Sequence, residues 1–216
     1  MPNAAELTTV ISEATGADRA TVAWVVRVLR EAHLITSGGR GRNVVKMTPA
    51  DAIYILVAML FTDRPVDAVK SIGDAKRLVF TKAKSLPTPR KSVFNFAIDK
   101  KSLKSGASDP RDFFDALVHI IETIARSGDE NVESSFVQIT FNSQDLGCQI
   151  EMSDAVLRYT WAEHWAYFSP TLNEAGQEAQ RFFQAMREQY RISKMGITRT
   201  WFHETIYPVA KTFAEA

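Results

Sequence analysis

The chain has 216 residues, of which 45% are hydrophobic and 10% aromatic, enough apolar side chain for a substantial core and too much for a disordered tail. Its single cysteine, Cys148, excludes an internal disulfide framework and suits a reducing compartment. The net charge of +1 conceals a polarity, because residues 1–108 hold 17 Lys and Arg against 9 Asp and Glu while residues 109–216 hold 9 against 16. A basic front joined to an acidic back points to a front that meets a polyanion.

The N-terminus "MPNAAELTTV" lacks the basic start and apolar centre of a secretion signal, and no run approaches the roughly 20 apolar residues that cross a bilayer. The expectation is a cytoplasmic protein, in the bacterial cytoplasm or nucleoid, without membrane contact. In "ELTTVISEATG", Leu7, Val10, Ile11 and Ala14 form one apolar helical face, and Gly16 ends the helix. Asp18 is placed to cap a second helix over 18–33, with Val22, Val25, Val26 and Leu29 on its buried stripe and Trp24 on the opposite side.

"TSGGRGRNVV", residues 36–45, lies between two β-prone segments, "LIT" and "VVKM", and reads as a hairpin with a long tip. Thr48 and Pro49 open a third helix, "ADAIYILVAMLF", apolar enough to be buried against the first two helices or at a subunit interface. The stretch from Asp63 is basic and ends in Pro87 and Pro89, where a boundary or hinge is expected.

Beyond it, "SVFNFAID" alternates as a strand, "KKSLKSGASDP" reads as a loop, and "PRDFFDALVHIIETIARSG" is an amphipathic helix. "SFVQITF", "GCQIEM" and "VLRYTWA" alternate Val137, Ile139 and Phe141, then Cys148, Ile150 and Met152, then Leu157, Tyr159 and Trp161. Their short links predict an antiparallel meander. Two terminal helices follow, "LNEAGQEAQRFFQAMREQYRISK" and "RTWFHETIYPVAKTFAEA".

Helix, glycine turn, helix and glycine-rich basic hairpin together make "ISEATGADRATVAWVVRVLREAHLITSGGRGRNVVKMT" resemble the winged helix-turn-helix DNA-binding proteins of bacteria and phages. The likeness covers about 40 residues and implies that helix 18–33 enters the major groove while wing 36–45 touches phosphates or the minor groove. Such domains usually carry a helix before the pair. Here few residues precede "LTTVISEAT", so "DAIYILVAMLF" is expected to complete the three-helix core from the other side.

The predicted fold is α+β: a winged helix-turn-helix domain with extra helices over 1–86, then an α+β oligomerisation or effector domain over 90–216 with a small antiparallel sheet and flanking helices. Candidate DNA contacts on the second helix are Arg19, Thr21, Trp24 and Arg27, with Thr21 and the free amides near the helix start as phosphate donors. In the wing they are Arg40, Arg42 and Asn43, with Lys46 just after it and Lys100, Lys101 and Lys104 as an extension. An extended Arg-Gly-Arg suits a narrow minor groove because glycine leaves nothing to strike its walls.

A nucleotide cradle is excluded because no Gly-Lys-Ser or Gly-Lys-Thr closes the glycine run. "HETIY" lacks the second histidine of a zinc-protease helix, and Cys148 reads as a core thiol. "YTWAEHWAYF" reads as core or dimer interface ahead of a ligand pocket. The expectation is a non-enzyme without cofactor or metal. It would be a sequence-specific double-stranded DNA-binding protein, a transcriptional regulator acting as a homodimer or higher homo-oligomer. The operator, the sign of regulation and any small-molecule effector are left open. A phage-type packaging or replication-initiation subunit, and a protein-interaction adaptor built on a helix-turn-helix, are the alternatives.

Overall fold

A computed structural model describes residues 1–38, 45–85, 112–127, 136–142, 147–153, 155–161 and 198–214. Among them are six α-helices and one five-stranded antiparallel sheet, an α+β architecture. The helices are α1 (Ala4–Thr15), α2 (Arg19–Glu31), α3 (Pro49–Phe61), α4 (Ala68–Ala75), α5 (Phe113–Arg126) and α6 (His203–Lys211). The strands are β1 (Leu78–Ser85), β2 (Val137–Asn142), β3 (Gly147–Met152), β4 (Ala155–Trp161) and β5 (Thr198–Trp201), in the spatial order β1-β4-β3-β2-β5.

Each of the first three helices starts at a side chain that satisfies its first amides, whereas α4 has no side-chain cap. Asn3 and Glu6 form a reciprocal capping box on α1, Asp18 caps α2, and Thr48 with Asp51 boxes α3, where Pro49 occupies the first turn. The end of α2 is a Schellman turn: Leu34 N–H donates to the Leu29 carbonyl at 3.0 Å and His33 N–H to that of Arg30 at 2.9 Å. His33 supplies the left-handed residue with φ of 55°, a conformation glycine holds with less strain.

The predicted meander is present: β2, β3 and β4 pair in register with Ile139 opposite Ile150 and Ile150 opposite Leu157. Their alternation buries Val137, Ile139 and Phe141, Cys148, Ile150 and Met152, and Leu157 and Tyr159 on one face. The other face is polar, with Arg158 Nε donating to Gln149 Oε1 at 3.1 Å and the Thr140 and Thr200 hydroxyls 3.4 Å apart.

Helix α5 lies against the apolar face, its Phe113 ring edge-on to Tyr159 at 5.3 Å, and α3 reaches the same face where Phe61 stacks on Phe141 at 4.1 Å. Buried residues from Leu7 in α1 to Ala210 in α6 form one hydrophobic cluster. Within it α3 is central, packed on α2, α4, α5 and β5.

Three expectations change. The basic stretch after Asp63 contains a 3-10 turn (Pro65–Asp67), α4 and β1, and β1 pairs antiparallel with β4 as an edge of the sheet. Lysines 82 and 84 disguised it, since charged residues are what an edge strand carries to discourage further pairing. The final predicted helix begins only at His203, because "TRTW" is strand β5, paired with β2. And among the described residues, Leu34 to Thr36 and Val45 to Met47 form no ladder with each other: the bridge at Lys46 is to Asn3, beside the α1 cap. The strand "SVFNFAID", the hinge at Pro87 and Pro89, the loop with Lys100, Lys101 and Lys104, most of "YTWAEHWAYF" and the helix "LNEAGQEAQRFFQAMREQYRISK" lie outside the described residues.

Candidate nucleic-acid interface

The turn between α1 and α2 is built by short side chains. Gly16 closes α1 at φ 69° with nothing within 4 Å of where a Cβ would stand, so conformation alone selects glycine there. Ser12 Oγ donates across the turn to the Ala17 carbonyl at 2.7 Å, and Ala17 N–H donates to Thr15 Oγ1 at 3.3 Å. The Asp18 carboxylate then accepts from the Ala20 and Thr21 amides at 3.0 and 3.2 Å. Those two amides are therefore occupied, and the expectation that they are free to hold a phosphate does not stand. The carboxylate that takes them also places negative charge at that terminus.

Helix α2 divides into two faces. Val22, Val25, Val26 and Leu29 are buried, while Arg19, Ala20, Ala23, Trp24 and Arg27 are exposed and Thr21 is half-buried. Trp24 leaves 51% of its surface open, far more than a side chain folded down as a cover over α1 would. Arg27 Nε donates to Glu31 Oε1 at 2.8 Å one turn on, a bond that also raises the guanidinium's affinity for its proton. This ion pair is solvent-exposed at both ends, so a competing phosphate meets little resistance there. Lys46 is exposed beside Asn3. Arg40, Arg42 and Asn43 lie outside the described residues.

Two features escaped the sequence. A groove of about 320 Å³ runs between α1 and α2, floored by Ala4, Ala5, Thr8, Ala23 and Val26 and edged by Arg27, Arg30 and Glu31. Arg30 reaches from it to Met47, Nη2 to Sδ at 3.8 Å, and its Nε is enclosed without an acceptor. The second feature is Asp51, 5% exposed, whose carboxylate accepts from the backbone and hydroxyl of both Thr36 and Thr48. The pattern Thr48-x-x-Asp51 is a legible capping box. That Thr36 returns to the same carboxylate has no local signal.

Around this node the chain segments that flank residues 39–44 are drawn together. A Cβ added to Gly38 would stand 2.7 Å from Val45 Cγ2, and Met47 N–H donates to the Pro2 carbonyl at 2.8 Å. Cys148 sits in the core, as expected for a core thiol, and burial pushes its thiol upward in pKa. Among the described residues no helix is long and apolar enough to cross a membrane. Compared with known proteins, the chain matches no family model, no curated protein and no solved structure.

Proposed function

We propose that the protein binds double-stranded DNA, placing the outer face of α2 in the major groove and the glycine- and arginine-rich loop 36–45 along phosphates or the minor groove, and that it acts as a transcriptional regulator. The observation that carries this reading is the two-faced α2. Four aliphatic side chains anchor it to the core, while Arg19, Trp24 and Arg27 stand outward on a helix held rigid by caps at both ends. A helix fixed on one side and presented on the other is what groove insertion requires. The segment 34–38 that leads toward Arg40 and Arg42 leaves directly from its C-terminal turn. The excess of 17 basic over 9 acidic residues in positions 1–108 supplies the long-range attraction.

Winged helix-turn-helix organisation belongs to the same proposal, with α3 as the helix that closes the core from the far side. Reading a two-fold half-site arrangement calls for two copies of the chain. Since α3 is covered within the protomer, the surface for a second copy lies elsewhere.

The test is fluorescence anisotropy on a mixed-sequence duplex from about 50 to 200 mM salt. Binding should weaken steeply with salt, and Arg40→Ala with Arg42→Ala should lower the slope of log K against log salt by about 2, roughly one for each phosphate no longer neutralised. No binding at the lowest salt sinks the proposal, and an unchanged slope removes the loop from the interface.

A further inference from the structure

We infer that the groove between α1 and α2 is a binding site for a small amphipathic monocarboxylate, whose hydrocarbon body lies on the alanine floor and whose anionic end is held by Arg30. The groove's volume of about 320 Å³ falls within the roughly 300–1,000 Å³ range of small-molecule sites. Its floor is apolar throughout: Ala4 and Ala5 from α1, Ala23 and Val26 from α2, and Thr8, whose hydroxyl is already taken by the Ala4 carbonyl at 2.7 Å. Side chains this short let a hydrocarbon chain approach both helices closely. Ala5 and Ala23 are exposed, so an occupant removes apolar surface from water, which is favourable in proportion to the area covered. From Ala23 to Arg30 the lining follows roughly 10 Å of helix, long enough for a medium-chain acid and short for a docked helix of several turns.

The groups around the groove differ in how far they are satisfied. Arg27 already donates to Glu31. The Ala5 and Glu6 amides at the start of α1 donate to Asn3 Oδ1 at 2.9 and 3.0 Å, so that helix start does not hold the anion. Arg30 is the exception. Among the described residues its half-buried guanidinium meets only the sulfur of Met47, Nη2 to Sδ at 3.8 Å, while Nε is enclosed without an acceptor. A thioether is a weak acceptor, and an enclosed donor left unpaired is costly. Rotating the guanidinium off the sulfur exchanges that contact for a fork of two charge-assisted bonds to a carboxylate and releases Nε from its enclosure. One guanidinium without a counter-charge matches one negative charge, and the Glu31 carboxylate on the same rim repels more highly charged phosphate esters. Arg27 borders both this groove and the outer face of α2, so an occupant lies beside the proposed DNA contacts; the site itself does not depend on that reading.

The probe is octanoate, with octanol as the uncharged chain of the same length, titrated into the full chain and followed by nuclear magnetic resonance. Octanoate should shift the amides of residues 4–8 and 23–31 and move the Arg30 Nε–H signal downfield, and it should bind about tenfold more tightly than octanol, the worth of a hydrogen bond to a charged group. Arg30→Gln should bring octanoate down to the affinity of octanol, a loss of about tenfold. Ala23→Leu, which keeps the guanidinium and fills the floor at an exposed helical position, should weaken both compounds together. Shifts confined to other parts of the protein, or no shifts at all, overturn the site. Equal affinity for octanoate and octanol, or an Arg30→Gln variant that binds octanoate as the wild type does, overturns the role of Arg30 and with it the carboxylate. Unchanged binding in Ala23→Leu overturns the placement of the hydrocarbon body.

Discussion

Helices α2 and α3 are each 13 residues long, adjacent in the chain and packed on each other, yet they are built for opposite ends. Four residues of α2 are buried, against nine of α3. The sequence "RATVAWVVRVLRE" keeps Val22, Val25, Val26 and Leu29 on one buried stripe and turns Arg19, Trp24 and Arg27 outward, whereas "PADAIYILVAMLF" has almost nothing to offer water. The two divide the labour. One helix gives rigidity by being largely enclosed, and the other borrows that rigidity through one face while its second face stays open to solvent.

The largest test of this contrast is Leu60→Ala in α3. Leu60 is fully buried, and its truncation should cost about 3–5 kcal/mol of unfolding free energy, measured from urea midpoints. A loss under about 1 kcal/mol would mean that α3 is not the enclosed support described.

A smaller change of opposite sign comes from the end of α2. Since His33 holds φ at 55°, His33→Gly should stabilise the protein by about 0.5–1 kcal/mol, read as a higher melting temperature. On the outer face, Trp24→Ala should move stability by under about 0.5 kcal/mol, because half of the side chain is already in water. DNA affinity should fall about tenfold in the same variant. A drop in stability with affinity intact would make Trp24 a packing residue and blur the contrast between the two helices.

Helix α6 offers an intermediate case, starting from a half-buried residue. His203 is stacked on Tyr207 at 5.2 Å with Nδ1 enclosed, and burial lowers its pKa against a smaller opposing pull from Glu204. The folded state therefore resists protonation more than the unfolded chain does. Its contribution is neutral well above the ordinary histidine value of about 6.5, and stability falls as pH drops through that value and below. His203→Gln should flatten the decline of the melting temperature between about pH 7 and 5. An equally steep decline would assign it to carboxylates.

Much of this was readable beforehand, for physical reasons that differ by element. Helices α1, α2, α3 and α5 announce themselves because each must bury a stripe or a whole surface, and that need writes a 3.6-residue period or an unbroken apolar run. β2, β3 and β4 show a period of two because one sheet face is buried and the other polar. The edge strands do not. β1 carries charges where an interior strand would not, and β5 is four residues long and runs into an amphipathic helix whose period masks it. At the candidate site, Gly16 and Asp18 were legible because turn and cap chemistry is local. Asp51 as a double anchor was not, since Thr36 and Thr48 come together only once α2 and α3 are packed.

Strand β5 also has a consequence for the order in which the chain is made. Arg199 Nη1 donates to the Leu60 carbonyl at 3.1 Å, Nη2 reaches the Asp63 carboxylate, and Trp201 Nε1 donates to the Leu56 carbonyl at 3.4 Å. The last turn of α3 is thus finished by residues synthesised about 140 positions later. During translation this apolar helix waits, with one flank bare, until β5 has left the ribosome. That interval is when a chain is most exposed to self-association and to chaperones, and a fragment ending before β5 would never leave it.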